Sequence, residues 1–144
     1  MKKILSVLLA ALAAACLMTG CSSNPKDGTY KAQYKDYDDH GWKDYVSITV
    51  KDGKITAVDY DSVNKDGAKK SEDTAYRESM EPVSNTYPAK FYKELEDQLT
   101  EKQDPKKVDA VTGATNSSND FKKLTAEALK AAKSGKTETV EISR

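Results

Sequence analysis

Hydrophobic and polar residues follow three patterns along the chain: an unbroken apolar run, stretches of period two, and stretches of helical spacing. The apolar run from Ile4 to Ala15 follows two lysines and carries no charge. A transmembrane helix needs about 20 predominantly apolar residues, and this run is shorter. It leads into small residues that end at Cys21. The pattern therefore predicts a secretory signal peptide over residues 1–20 and not an anchor helix.

Period-two alternation predicts strands, and the clearest pair forms a hairpin. Tyr45–Val50 and Lys54–Tyr60 are rich in β-branched residues. Between them, Asp52 and Gly53 supply the positive φ angles that a tight hairpin turn requires. Two outer strands are expected, at Thr29–Tyr34 and Thr137–Ser143.

The two hairpin strands differ in how clearly their inner face can be assigned. The first strand places Val46, Ile48 and Val50 on one face. In the second strand, one face holds Ile55, Ala57 and Asp59, and the other holds Val58 and Tyr60. The second strand is therefore expected to be bulged or covered on both sides.

Three segments have helical spacing. The first follows a candidate N-cap within Ser71–Asp73 and is expected to end before Pro82, because proline interrupts a helix. The second begins at Pro88, a residue suited to the first turn. The third is expected to follow Ser117-Ser118 and to end at Gly135. The apolar faces of the last two helices consist of Phe91, Leu95, Leu99, Phe121, Leu124, Ala128 and Ala131.

These elements predict an α+β fold: one small domain with an antiparallel sheet, a central hairpin and two or three helices packed on it. A chain of 144 residues allows one domain. We assign residues 1–20 to the signal peptide, 21–27 to a tether and 28–144 to the folded domain.

Lys+Arg and Asp+Glu each number 23, so a nucleic-acid partner is not expected. Two cysteines and one histidine are too few for a structural zinc site, and no metal site is expected.

The end of the leader resembles a bacterial lipobox. Met18-Thr19-Gly20-Cys21 places a cysteine after a small residue, with Met18 where leucine is usual. The resemblance implies that Cys21 is lipidated, becomes the new N-terminus and anchors the protein in the lipid bilayer. Ordinary cleavage, which would leave a free thiol, is the alternative.

A loop of small residues precedes the third helix and is the candidate site. Gly113 lacks a Cβ, so the backbone there can turn sharply or approach a ligand closely. The free amides of residues 116–119 would take an anion at the helix start, and Thr115 places a hydroxyl there. This geometry suits a phosphate held against Thr115 or esterified to it. The competing interpretation, equally weighted from spacing alone, is a helix capped by Ser117 or Ser118.

The segment Asp109–Thr115 (Asp-Ala-Val-Thr-Gly-Ala-Thr) is similar to the flavinylation motif of the FMN-binding domain family. That family includes subunits of sodium-pumping quinone reductases, Rnf-type electron-transfer complexes and small extracellular flavin lipoproteins. The resemblance covers about residues 41–133. It implies FMN joined to Thr115 by a phosphoester, which a flavin transferase makes from FAD with a divalent metal. The implied cofactor-binding residues are Asp109, Thr112, Gly113, Ala114, Thr115, Asn116 and Ser117.

The resemblance and the leader together predict a function. We expect a carrier and not an enzyme, because no convergent acid–base set is visible and no catalytic residue is assigned. It would sit on the extracytoplasmic face of a bacterial membrane and pass electrons from a membrane donor to an outside acceptor. Alternatives are a surface lipoprotein that binds FMN or another phosphorylated ligand noncovalently, and a surface or adhesion factor with a relict loop. Five aromatic or thioether side chains could contact a flavin, although side chains of these types more often belong to the hydrophobic core. They are Trp42, Tyr60, Tyr76, Met80 and Tyr92.

Overall fold

The computed structural model describes residues 24–144, so the predicted leader and Cys21 lie outside the described residues. Strands and helices follow in this order: β1 Gly28–Tyr34, β2 Lys43–Lys51, β3 Lys54–Val63, α1 Thr74–Ser84, α2 Pro88–Lys102, α3 Thr115–Ser134 and β4 Val140–Ile142. Short 3₁₀ turns at Lys70–Glu72 and Pro105–Lys107 precede α1 and follow α2, respectively. The predicted α+β fold is confirmed.

The four strands form one sheet in the order β3-β2-β1-β4. The sheet is antiparallel except at β4, which pairs parallel to β1 with Val140 opposite Ala32. The predicted antiparallel sheet with a central hairpin is confirmed for β1, β2 and β3, and the short edge strand β4 departs from it. The cause is α3, which ends beside the start of β1, where the Lys26 amide donates to the Ala132 carbonyl at 2.9 Å. Because α3 ends near the start of β1, the strand that follows α3 begins at the same end of the sheet. It therefore runs parallel to β1, its neighbour in the sheet.

The hairpin turn forms as the sequence predicts, with Asp52 at φ 52° and Gly53 at φ 74°. The alternation in β3 is reset by a bulge, because Val50 pairs with Ile55 whereas Thr49 pairs with Ala57. Beyond the bulge, Val58 and Tyr60 turn toward the core while Ala57 and Asp59 are exposed. The expected bulge is confirmed, and the grouping of Ile55 with Ala57 and Asp59 is wrong.

One face of the sheet is covered by α2 and α3, with α2 against β3 and α3 against β1 and β2. The core lies between these layers. Its helix side chains include all those that the spacing predicted, which are Phe91, Leu95, Leu99, Phe121, Leu124, Ala128 and Ala131. Burial of each large side chain stabilises the fold by about 1.5–3 kcal/mol. This packing fixes the axis of α3, and therefore the position of its first turn.

Helix α1 contributes no fully buried residue, although Met80 packs half-buried against the core. Asp73 caps its start by accepting a hydrogen bond from the Tyr76 amide at 2.9 Å. The helix continues through Pro82 to Ser84, so the prediction that it ends before Pro82 is wrong. Pro82 is near the C-terminal end, where few turns remain to be disturbed. Asn85 then ends the helix in the left-handed conformation, with φ 53°.

The outer edge of β3 is covered by side chains from α2 and the residue after it. Gln103 forms two hydrogen bonds with the backbone of Ile55: its Oε1 accepts from the amide and its Nε2 donates to the carbonyl, both at 2.8 Å. Further along the strand, Glu96 Oε1 accepts from the Tyr60 amide at 2.8 Å. These bonds satisfy backbone groups that an edge strand otherwise leaves open.

Candidate functional site

A tight turn over Val111–Ala114 forms the centre of the candidate site. The Ala114 amide donates to the Val111 carbonyl at 3.0 Å, with Gly113 at φ 85° in the third position. This is the position of a type II turn that requires a left-handed residue, and glycine adopts it without steric cost. Gly113 also lies against the end of α1, where a Cβ would come within 3.2 Å of the Thr86 methyl group. Glycine is therefore required here twice, by conformation and by packing.

Helix α3 starts at Thr115, with Ala114 as an N-cap that offers no side-chain hydrogen bond. The prediction that this helix follows Ser117-Ser118 is wrong. The Ser118 amide already donates to the Ala114 carbonyl at 2.9 Å. Within residues 24–144, the amides of Thr115, Asn116 and Ser117 have no backbone acceptor. The sequence predicted free amides at residues 116–119. In the structure the free amides begin one residue earlier, at Thr115 itself.

Ser118 stabilises the turn from inside the helix. Its buried hydroxyl accepts a hydrogen bond from the Val111 amide at 3.0 Å and donates to the Ala114 carbonyl at 2.7 Å. One side chain thus connects both ends of the type II turn to the first turn of α3. Of the two serines considered as caps, Ser118 has this role and Ser117 does not.

Thr115 and Thr112 both present exposed side chains around the turn. Asn116 is exposed and Ser117 half-buried in the same first turn of α3, whereas Ala114 is buried beneath it. The structure therefore brings together six of the seven predicted residues: Thr112, Gly113, Ala114, Thr115, Asn116 and Ser117. An exposed hydroxyl beside three free amides at a helix start suits a phosphate group, because the amides and the helix dipole favour negative charge.

Asp109 lies apart from this group and is bound to α2. Its backbone amide donates to Gln98 Oε1 at 2.8 Å, and its carbonyl accepts from Gln98 Nε2 at 3.2 Å. Its carboxylate pairs with Lys102 at 2.8 Å, which lowers the pKa of Asp109. The side chain is 84% exposed. In the described part of the chain, no hydrogen bond joins Asp109 to Thr115.

A shallow cleft of about 250 Å³ borders the turn. Thr112 and Val111 form one side of it, and the residues that follow α1, Asn85 and Thr86, form the other. The buried Thr86 hydroxyl has no hydrogen-bond partner in residues 24–144. This hydroxyl is not accessible from the cleft, whose exposed polar side chains include Asn85 and Thr112.

A buried network of hydrogen bonds holds the other side of the first turn. The Tyr60 hydroxyl donates to the Ser117 carbonyl at 2.8 Å and lies 3.2 Å from Asp44 Oδ2. The Ser62 hydroxyl donates to Asp44 Oδ1 at 2.6 Å and lies 2.8 Å from the Tyr92 hydroxyl. Burial away from water raises the pKa of Asp44 and the pKa of both tyrosines. This network links the sheet to the helix start that carries Thr115.

The predicted flavin-contact side chains fall into two groups. Tyr60 and Tyr92 are buried in the core, where their rings pack edge to face, so they are not available for stacking. Trp42 is buried too, but its ring meets the half-buried Tyr76 of α1 edge to face at 6.3 Å. The Lys70 ammonium lies 4.3 Å from the centre of the Tyr76 ring. Met80, one turn further along α1, packs against the core while half-buried.

The sequence did not single out Asp44, and it offered Ser118 only as a cap and not as a buried residue inside the helix, although the pattern around each residue indicates its position. Asp44 lies two residues before Val46 in β2, so alternation places it on the inner face of the sheet. Ser118 lies three residues before Phe121, which places it on the buried side of α3. A polar residue on an apolar face indicates a buried hydrogen bond.

Across residues 24–144, no helix combines the length and apolarity needed to cross a membrane. The same residues contain no group of three or more histidine, cysteine or acidic side chains placed to hold a metal ion.

Fold and site together define a small α+β domain that presents a hydroxyl and free amides at the start of a long helix. The sequence profile of the FMN-binding domain family matches residues 41–130. The chain therefore belongs to the FMN-binding domain family, and the resemblance predicted over about residues 41–133 is confirmed.

The chain is also similar in sequence or structure to individual known proteins. The chain is 44% identical over 135 residues to the 15 kDa lipoprotein of Treponema pallidum (strain Nichols), covering 93% of this chain and 95% of that protein. A crystal structure of a Clostridium perfringens protein superposes with a TM-score of 0.81 and 45% identity, covering 83% of this chain and 98% of the other. An NMR structure of a Clostridium thermocellum protein gives a TM-score of 0.50 and 34% identity, covering 74% and 92%.

Proposed function

We propose that this protein is a lipid-anchored, extracytoplasmic flavoprotein that carries FMN as a phosphoester on Thr115 and shuttles electrons. The observation that carries the proposal is the placement of Thr115. Its side chain is exposed at the first residue of α3, beside three free amides and inside the region that matches the family. Thr112 is equally exposed but lies in the turn, before the free amides begin.

The attachment is a transfer of FMN from FAD. A bond forms between Thr115 Oγ1 and the phosphorus on the FMN side of FAD, the pyrophosphate bond breaks, and AMP leaves. The hydroxyl proton passes to a base. Because threonine is a weak nucleophile and Asp109 is bound to Lys102, we assign the base and the divalent metal to a flavin transferase.

After attachment, the chain's own groups hold the phosphate and set its surroundings. The amides of Thr115, Asn116 and Ser117 would hold the phosphate, and the helix dipole would favour its negative charge. Bound FMN supplies the redox chemistry, and the protein supplies position and electrostatics. The turn held by Gly113 and Ser118 keeps the attachment point fixed.

The lipid anchor is the second part of the proposal. Cys21 follows the small residues of the leader, and a relative 44% identical over 93% of this chain bears the name lipoprotein. Lipidation of Cys21 would keep the domain at the membrane, where a membrane donor supplies electrons for an acceptor outside. A Cys21→Ser variant should lose the lipid mass and leave the membrane fraction, whereas wild type and Cys16→Ser should retain both.

The covalent link is tested by intact mass after co-expression with a flavin transferase. Wild type should gain the mass of FMN less one water and show a flavin absorbance spectrum. Thr115→Ala should lose the adduct and remain folded by circular dichroism, whereas Thr74→Ala, the same change at the exposed first residue of α1, should retain it. An adduct that persists in Thr115→Ala would disprove the assignment of the site.

Denaturation separates this proposal from noncovalent binding. The same three amides can hold the phosphate of FMN or of another ligand without an ester, as in a binding protein with no redox role. A flavin that stays with the unfolded chain through a desalting step supports the phosphoester, and a flavin that is released supports noncovalent binding. A colourless protein after co-expression would favour a surface factor with a relict loop.

A further inference from the structure

A hollow of about 630 Å³ lies where the described chain enters the fold, away from the turn that carries Thr115. Pro25 lines it together with Gly53 of the hairpin turn and the last turns of α3. The entering segment is fixed beside it, because the Lys26 amide bonds to Ala132 and Asp27 Oδ1 accepts from the Gly53 amide at 3.3 Å. The hollow therefore lies at a defined position next to the tether.

The lining of this hollow combines apolar side chains with positive charge. The half-buried Leu129 contributes apolar surface, and the buried Ile55 and Pro105 lie beneath it. Four exposed lysines line it as well: Lys54, Lys106, Lys130 and Lys133. In the described residues, none of the four takes part in an ion pair. Asp104, the acid in the lining, accepts a hydrogen bond from the Lys106 amide at 2.9 Å.

The short tether limits how far this surface can be from a bilayer. Cys21 precedes Pro25 by four residues, which span at most about 14 Å when fully extended. A lipid chain and a basic surface together hold a protein at a membrane far better than either alone. Lysines that lie within reach of an anionic leaflet are attracted to its headgroups.

We propose that this basic hollow is the surface by which the folded domain rests on anionic phospholipid headgroups. The inference rests on the lipid anchor at Cys21 that forms part of the proposed function. The lysines contact the headgroup phosphates, and the apolar lining lies at the level of the interface. Thr115 lies about 20 Å from Leu129 along α3, at a rise of about 1.5 Å per residue. The docked domain therefore holds the flavin attachment point away from the contact surface.

The test uses the mature chain, residues 21–144, in which Cys21 is the sole cysteine. Its thiol is coupled to a maleimide lipid in vesicles of phosphatidylcholine, with or without phosphatidylglycerol. A water-soluble acetylating reagent then labels the lysines, and peptide mass spectrometry gives a rate for each. Lys54 and Lys106 should be labelled several-fold more slowly on anionic vesicles than on neutral ones, whereas Lys35 and Lys65 should not change. High salt should remove the protection, because it screens exposed charges.

Two charge-reversal variants separate this surface from overall charge. Lys130→Glu with Lys133→Glu should abolish the protection of Lys54 and Lys106. Lys35→Glu with Lys65→Glu changes the net charge equally and should leave that protection intact. Equal labelling of Lys54 and Lys106 on the two vesicle types, or equal loss in both variants, would overturn the proposal. The experiment involves neither flavin nor natural lipidation, so its failure is distinct from failure of the proposed function.

Discussion

Gly113 and Ser84 are in direct backbone contact: a methyl group on Gly113 would lie 2.6 Å from the Ser84 carbonyl oxygen. The turn of the candidate site is thereby packed against the last residue of α1. Glycine allows this approach while it also adopts φ 85°. The end of one helix and the start of another are thus joined through a residue that has no side chain.

Replacement of this glycine should be costly. Gly113→Ala should lower the free energy of unfolding by about 1–3 kcal/mol for the positive φ alone, with a further cost for the contact. It should also reduce flavin loading, because the turn must move. Urea unfolding and intact mass measure the two effects.

Gly67→Ala is the matched control for this prediction. Gly67 has φ 80°, almost the same conformation, but a Cβ there would meet no atom within 4 Å. The difference between the two variants therefore measures the cost of the contacts with Ser84 and Thr86. Equal destabilisation in both would contradict a role for those contacts.

Removal of the Ser118 hydroxyl should loosen the turn. Ser118→Ala leaves the buried Val111 amide without its acceptor, which should cost about 1–3 kcal/mol in the free energy of unfolding. Hydrogen exchange at the Val111 amide should also become faster, because that amide loses its hydrogen bond. Ser117→Ala, one residue away and half-buried, should change both quantities little. Unchanged exchange at Val111 in Ser118→Ala would refute the role assigned to this hydroxyl.

Helix α1 should open independently of the core, because it contributes no buried residue. Pro82 weakens it further by lacking an amide that could bond to the preceding turn. Pro82→Ala should slow hydrogen exchange of the α1 amides. Each 1.4 kcal/mol by which the helix is stabilised should lower their exchange rate about tenfold. The urea midpoint should remain that of wild type, and amides of α2 serve as the internal control. A raised midpoint without slower local exchange would be inconsistent with independent opening.

Asp44 should make stability fall as pH rises. Burial raises its pKa despite the opposing effects of the Ser62 hydrogen bond and the Arg144 charge. The folded protein then binds this proton more tightly than the unfolded chain, whose aspartate pKa is about 3.9. Stability is therefore lost from about pH 4 upward, through the raised pKa of Asp44. Urea unfolding at several pH values should show Asp44→Asn gaining stability relative to wild type across this range. A constant difference between the two proteins would contradict the predicted pH dependence.

The elements that the sequence predicts correctly are those fixed by local interactions. Asp52-Gly53 determines the hairpin turn with its own backbone preferences, and the four-residue spacing of Phe91, Leu95 and Leu99 determines the inner face of α2. Gly135 ends α3 at φ 71°, as glycine after a helix commonly does. In each case the deciding residues lie within one turn of the feature.

The features that the sequence did not predict depend on distant contacts. The parallel pairing of β4 follows from where α3 ends, and the exposed face of Ala57 follows from the bulge in β3. The start of α3 was misplaced because Ala114 is a weak N-cap, while the stabilising hydroxyl of Ser118 lies inside the helix. The motif residues alone did not indicate that Asp109 would bind Lys102 and not approach Thr115.

The side chains that cover the edge of β3 have a consequence for how copies of this protein meet. Open strand edges pair with one another and start aggregation. Here Gln103 occupies both backbone groups of Ile55, and Glu96 occupies the amide of Tyr60. A second copy that approaches this edge meets occupied hydrogen-bonding groups and a carboxylate. Copies of the domain at high local concentration can therefore remain separate molecules at this edge.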